Sequence, residues 1–114
     1  MITVIALLKA RDGLSREQFV DYYENHHVPL ILSLAPAPEY YARNYLPDPV
    51  DRRFAADFDV VTHVKFPDEA AYRHWLAVVR AEDSGVAEDE ARFLDPGRTR
   101  SWVVEEHTSA AAGS

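Results

Sequence analysis

The chain of 114 residues has a formal net charge of −7 and 47% hydrophobic residues, so it can form one domain with a single two-layer core. It has no cysteine, which excludes thiolate catalysis, disulfides and thiolate metal sites, and its acidic balance disfavours nucleic acid and anionic membranes as partners. No apolar run is long enough to cross a bilayer, and the first residues, MITVIALLKA, lack the basic start of a signal peptide, so a cytoplasmic location is expected.

The first predicted elements are a strand and a helix. Residues 2–9 are apolar on both faces, which is typical of a central strand. Ser15 then caps a helix, and the glutamine three residues later completes a capping box. Pro29 disfavours the α conformation in the residue before it, so we expect the regular helix to end or kink at His26 and His27.

Two phenols and two imidazoles gather at the end of this helix. Tyr22 and Tyr23 precede His26 and His27 by four residues, so each pair shares a helix face. Imidazole titrates near neutral pH and a phenol donates or accepts hydrogen bonds, so this cluster is the strongest candidate for proton-transfer chemistry. The competing interpretation is structural, because histidines at a helix end can bind its free carbonyl groups and complement its dipole.

The rest of the chain supplies three strands and two helices. The segment 57–66, DFDVVTHVKF, alternates clearly, and its Phe58, Val60 and Phe66 side should face the helices, while His63 lies on the opposite side. A flexible tail is expected from residue 108 to 114. The further predicted elements are strands at 39–46, 57–66 and 99–106 and helices at 69–80 and 87–94.

The element order β-α-β-β-α-β predicts an α+β ferredoxin-like fold. In that fold a four-stranded antiparallel sheet carries helices on one face and leaves the other face uncovered. Because the strands have apolar side chains on both faces, we expect the open face to pack against a second copy. The prediction is therefore a homodimer in the form of a dimeric α+β barrel, with residues 1–107 as its one domain.

The sequence resembles the EthD-domain family of the dimeric α+β barrel superfamily. The matching segments are ALLKARDGLSREQFVDYYENHHVPL, YARN, FDVVTHVKFPDEAAYRHW and DEARFLDPGRTRSWVVEEH. The histidine of the family's H-x-P word falls on His27, and His26 stands where other residues are common. Related barrels act as cyclases, isomerases or monooxygenases without metal or flavin, using a His and a Tyr in a pocket between sheet and helices. The resemblance therefore implies His27 as the catalytic acid or base, Tyr41 as its partner with Asn44 beside it, and no cofactor.

Such chemistry needs a mostly apolar pocket. The imidazole takes a proton there, and a phenol or an amide holds the developing enolate oxygen. No metal site is expected, because neighbouring helical residues point about 100° apart and His26 and His27 would not chelate one ion together. The residues predicted to bind the substrate are Tyr22, Tyr23, Asn44, Phe58, Val64, Trp75 and Trp102, with core packing as the competing role for the large apolar ones.

The resemblance implies a small cofactor-free enzyme that uses His and Tyr acid–base chemistry. Its substrate would be an aromatic or polyketide-like carbonyl compound, and its reaction a cyclisation, dehydration or isomerisation. One alternative is a non-catalytic accessory or ligand-binding dimer that supports a degradation or biosynthetic pathway. Another is a cofactor-independent monooxygenase, which oxygen consumption would distinguish from the first.

Overall fold

A computed structural model describes residues 1–110. Its four strands form one antiparallel sheet in the order β2-β3-β1-β4, and the predicted ferredoxin-like α+β fold is confirmed. The strands are β1 (Ile2–Leu8), β2 (Tyr40–Tyr45), β3 (Val60–Phe66) and β4 (Arg100–Val104), and the α-helices within the described range are α1 (Arg16–Tyr22), α2 (Val28–Leu34), α3 (Glu69–Val79) and α4 (Val86–Phe93).

The helical connection between β1 and β2 begins as predicted and continues differently. Ser15 Oγ accepts the N–H of Gln18 at 3.1 Å, and the Ser15 N–H donates to Gln18 Oε1 at 2.9 Å, which completes the capping box. After α1 the chain widens into a five-residue π-helical segment, Tyr23–His27, and then continues directly as α2. The regular α-helix is thus interrupted at the predicted place, but the chain remains helical through the histidines and does not end there. Pro29 lies in the first turn of α2, where the missing N–H is tolerated.

The two faces of the sheet differ as the alternation in β3 predicts. Val60, Thr62, Val64 and Phe66 are all buried on the side of the helices. Of these four residues, Val60 belongs to the main core, which also contains residues from both helical connections. Its buried members are Leu8, Phe19, Tyr23, Val28, Val60, Phe93 and Leu94.

The opposite face of the sheet, which we call the open face, carries large side chains that no helix of the described chain covers. Ile5 pairs with His63 on one side and with Trp102 on the other, so the three share this face. Trp102 is 50% exposed and Tyr40 is 46% exposed. His63 contacts Glu106 at 3.1 Å.

The ends of the chain elements deviate from the predicted limits by a few residues. β3 begins at Val60, three residues later than predicted. The backbone of Asp59 still bonds to Leu8 and Leu46, and its side chain binds Lys9 at 3.2 Å and Arg52 at 3.1 Å. Of the predicted tail, residues 108–110 are exposed and without regular structure, and residues 111–114 lie outside the described range. None of the helices within residues 1–110 is long and apolar enough to cross a membrane.

Candidate active site between the helices and the sheet

His27 forms a buried pair with Asp89, a residue of α4. The distance from His27 Nδ1 to Asp89 Oδ2 is 2.9 Å, and both side chains are buried. A carboxylate accepts hydrogen bonds and does not donate them, so Nδ1 carries the proton. In the neutral ring Nε2 then has the free lone pair, and the pair has the arrangement of a general base with an orienting carboxylate.

The second oxygen of Asp89 is bound by Tyr22. The Tyr22 hydroxyl donates to Asp89 Oδ1 at 2.6 Å, the length of a charge-assisted hydrogen bond. Burial and this hydrogen bond raise the pKa of Tyr22 above its usual value. Gly85, with φ of 80°, turns the chain into α4, and Asp89 follows in the first helical turn, where the helix dipole favours a negative charge.

A cavity of about 160 Å³ lies between the helices and the sheet. An apolar cavity of about 150 Å³ can hold one benzene molecule, so this cavity has room for about one aromatic ring. His27 lines the cavity. Its other polar lining residues include Tyr23, Tyr41, Thr62 and Glu90, and its apolar ones include Ile31, Val64, Phe66, Trp75 and Val79.

Two phenols in the cavity wall belong to one hydrogen-bonded group. Tyr23 Oη lies 2.8 Å from Thr62 Oγ1 and 3.4 Å from Tyr41 Oη. Burial raises the pKa of Tyr23 well above its usual value and also raises the pKa of Tyr41. Both phenols therefore stay protonated near neutral pH, where they can donate hydrogen bonds to an oxygen of a ligand.

A second carboxylate cluster lies beside Tyr41. The Arg43 guanidinium binds Glu24 through two hydrogen bonds of 2.8 Å, and the Tyr45 hydroxyl donates to the same carboxylate at 2.6 Å. The guanidinium also stands 4.7 Å from the centroid of the Tyr41 ring. Glu24, Arg43 and Tyr45 do not line the cavity, so they act on it only through Tyr41.

The structure brings five of the predicted site residues to the cavity: His27, Tyr41, Tyr23, Val64 and Trp75. The other predicted site residues, Tyr22, His26, Asn44, Phe58 and Trp102, do not line this cavity. His26 is exposed and stacks on Tyr22 with ring centroids 4.8 Å apart, and Tyr22 reaches Asp89 from outside the cavity. Phe58 precedes β3 and does not line the cavity.

Asn44 and Trp102 miss the cavity because of strand alternation. Asn44 is three residues after Tyr41, so it lies on the opposite side of β2, where its side-chain amide donates to the Val61 carbonyl at 3.1 Å. Trp102 pairs with Ile5 on the open face, and its neighbour Ser101 lines the cavity instead.

Asp89 and the pair of Glu24 and Arg43 were not predicted as site residues. The acidic run around Asp89 has the composition of a solvent-exposed helix face. Its spacing nevertheless carries a signal, because Asp89 is three residues after Val86 and four before Phe93, and both of these are buried. For Arg43, the signal is its position two residues after Tyr41, on the same side of the strand. Among the described residues, no three His, Asp or Glu side chains are arranged to hold a metal ion.

The fold and the site together define a ferredoxin-like α+β protein with a buried histidine–carboxylate pair at a small cavity. The sequence matches the family model of the EthD domain over residues 11–97. The chain therefore belongs to the EthD domain family, as the resemblance predicted. A comparison with curated proteins finds no match.

Solved structures show the same fold in other organisms. An EthD family protein from Bacillus halodurans superposes with a TM-score of 0.64 at 18% identity, covering 94% of this chain and 99% of that one. HapK from Hahella chejuensis gives 0.61 at 18% identity, with coverage of 99% and 100%. A dimeric ferredoxin-like protein of unknown function from Thermobifida fusca gives 0.55 at 15% identity, with coverage of 90% and 88%. At these identities the likeness concerns the fold.

Proposed function

We propose that this protein is a small enzyme in which His27 moves a proton next to the carbonyl group of an aromatic or polyketide-like compound. The observation that supports this most directly is the buried pair of His27 and Asp89 at 2.9 Å, with His27 lining a cavity. A free lone pair on Nε2 suits a general base, and the carboxylate stabilises the imidazolium that forms.

The proposed reaction needs a base and an oxygen-binding group. Nε2 of His27 takes a proton from the carbon next to the carbonyl, and the electron pair of that C–H bond moves to give an enolate. Tyr41, protonated and beside Tyr23, donates a hydrogen bond to the enolate oxygen. Return of the proton to another carbon completes an isomerisation. Alternatively, the enolate carbon attacks a second carbonyl to form a C–C bond, and the resulting alkoxide takes the proton back from the His27 imidazolium. Loss of that hydroxyl with a carbon-bound proton, as water, then completes cyclisation and dehydration.

The cavity limits what the proposed substrate can be. A volume of about 160 Å³ is smaller than the usual range of drug-sized sites, which is roughly 300–1,000 Å³. It fits one ring, or the end of a longer chain at which a ring closes. The apolar part of the lining, including Val64 and Trp75, favours an aromatic or aliphatic skeleton over a charged one.

Exchange of carbon-bound hydrogen tests this chemistry without knowledge of the product. Aromatic ketones such as acetophenone are incubated with the protein in D₂O, and ¹H NMR follows the loss of the proton signal next to the carbonyl. We expect acceleration by the wild type for at least one ketone and a loss of about 10²- to 10⁴-fold in His27→Ala. His74→Ala is the matched control, because His74 is exposed on α3, away from the cavity.

Other outcomes separate the alternative functions. If a ketone binds and neither the wild type nor His27→Ala accelerates exchange, the proton-transfer proposal is wrong and the accessory, ligand-binding function gains support. Oxygen consumption with an electron-rich phenol, lost in His27→Ala, would instead indicate a monooxygenase.

We also propose that the open face packs against a second copy of the chain. The exposure of Trp102 and Tyr40 on this face supports the proposal, as does the dimeric state given for the ferredoxin-like protein of Thermobifida fusca. Trp102→Glu should convert a dimer to a monomer in sedimentation experiments. Phe54→Glu is the control, because Phe54 is 74% exposed in the loop before β3 and outside the sheet. A wild type that sediments as a monomer would contradict the proposal.

A further inference from the structure

We infer that Tyr22 is a positioning residue that holds the Asp89 carboxylate so that His27 keeps its proton on Nδ1. The two oxygens of Asp89 are divided between the two partners. Oδ2 accepts from His27 at 2.9 Å, and Oδ1 accepts from the Tyr22 hydroxyl at 2.6 Å. The catalytic meaning of this arrangement rests on the proposed function, but the position of the proton does not.

Although Asp89 is buried, its carboxylate lies close enough to the outer surface for a cation there to compete with His27. On the side away from the cavity, the carboxylate borders a groove that is also lined by Tyr22, His26, Glu88 and Arg92. Arg92 is exposed one helical turn after Asp89 and lies close to the Tyr22 hydroxyl, and its charge also attracts the carboxylate toward this groove. The short hydrogen bond from Tyr22 opposes that rotation by fixing one oxygen of the carboxylate.

Tyr22 is itself held in place by two rings. It stacks on His26 with centroids 4.8 Å apart and an interplanar angle of 25°, and it lies 5.2 Å from Phe93. Phe93 is fully buried and also contacts the His27 ring at 4.8 Å. This gives His26 a supporting role, since it covers Tyr22 from the solvent side and does not reach the cavity.

The position of the proton on His27 decides whether the ring can act as a base toward the cavity. With the proton on Nδ1, the lone pair is on Nε2. If the carboxylate turns away, the proton can move to Nε2, and the lone pair then points at the place that Asp89 has left. Tyr22 would thus affect catalysis without touching the substrate.

The test is ¹⁵N NMR of the full chain with labelled histidine, at a pH where the imidazole is neutral and without substrate. The chemical shifts of the two ring nitrogens show which one is protonated. For the wild type we expect protonated Nδ1 and unprotonated Nε2 in His27. In Tyr22→Phe, which keeps the aromatic ring and removes only the hydroxyl, the two shifts should move toward each other, and proton exchange should slow by roughly tenfold.

Tyr45→Phe is the matched control. It removes a hydroxyl that also donates to a carboxylate at 2.6 Å, but that carboxylate is Glu24, which does not touch His27. Its His27 shifts should equal those of the wild type. A Tyr22→Phe spectrum identical to the wild type would overturn the inference, and so would a wild-type His27 with its proton on Nε2. If the shifts change as expected and no variant or wild type exchanges any ketone, the inference stands and the proposed enzymatic function fails.

Discussion

Two carboxylates, Asp89 in α4 and Glu24 in the π-helical segment, have similar hydrogen-bond partners and differ in the basic one. Each accepts a hydrogen bond of 2.6 Å from a tyrosine hydroxyl. The basic partner of Asp89 is the imidazole of His27, a side-chain type that can act as a general acid or base, whereas that of Glu24 is the guanidinium of Arg43, which stays charged. We call Asp89, Tyr22 and His27 the first cluster, and Glu24, Arg43 and Tyr45 the second cluster. Proton transfer is therefore possible at the first cluster, whereas the second can only hold a fixed ion pair.

Burial reinforces the difference between the clusters. The side chains of His27 and Asp89 are each 9% exposed, whereas that of Glu24 is 33% exposed. His27 lines the cavity, and Arg43 reaches it only by lying over the Tyr41 ring. Two similar sets of chemical groups therefore differ in function. The pair at the cavity has an imidazole that can transfer a proton, whereas the pair outside it has a guanidinium that stays charged and can only stabilise the fold.

The largest expected effect comes from breaking the first cluster with Asp89→Asn. The amide of asparagine can accept from Tyr22 and donate to His27 Nδ1, which would place the ring proton on Nε2. We expect kcat for proton exchange to fall by about 10²- to 10⁴-fold with little change in KM, since Asp89 does not line the cavity. The measurement is the exchange rate as a function of ketone concentration.

The matched change in the second cluster is Glu24→Gln, which should leave the exchange rate close to that of the wild type. A loss of exchange in Glu24→Gln as large as that in Asp89→Asn would show that the two clusters do not have separate roles.

A smaller effect, on stability, is expected from the same Glu24→Gln variant. It leaves the Arg43 guanidinium half-buried without its charged partner. The free energy of unfolding should fall by about 1–2 kcal/mol, measured by urea denaturation. Glu69→Gln is the control, because the exposed helical pair of Glu69 and Arg73 contributes only about 0.3–0.5 kcal/mol. Equal losses in both variants would contradict a structural role for the second cluster.

The smallest effect is the dependence of that stability on pH. The hydrogen bond from Arg43 holds the pKa of Glu24 below its usual value. Because the folded pKa is the lower one, the contribution of Glu24 is complete above the unfolded pKa of about 4.3 and is lost as the pH falls through the folded value. The urea midpoint of the wild type should therefore decline more steeply below about pH 4.3 than that of Glu24→Gln. Parallel curves for the two proteins would rule out this assignment.

Several features of the fold could be predicted from the sequence because they depend only on residues a few positions apart. The capping box at Ser15 needs only a residue three positions away, and the buried face of β3 follows from strict alternation over seven residues. The π-helical segment could not be predicted from the sequence. A proline in the first turn of a continuing helix and a proline just after a helix end give the same local pattern.

The order of the elements, the α+β fold, membership of the EthD family and the candidacy of His27 and Tyr41 could all be inferred from the sequence. The surroundings of these two residues were set by the packing of the folded chain. It paired His27 with Asp89 across 62 residues of chain, sent Tyr22 to the outer oxygen of that carboxylate and left Trp102 on the open face. The physical reason is that periodicity and capping act over a few residues. Which oxygen meets which ring nitrogen depends instead on how two distant helices pack against the same sheet.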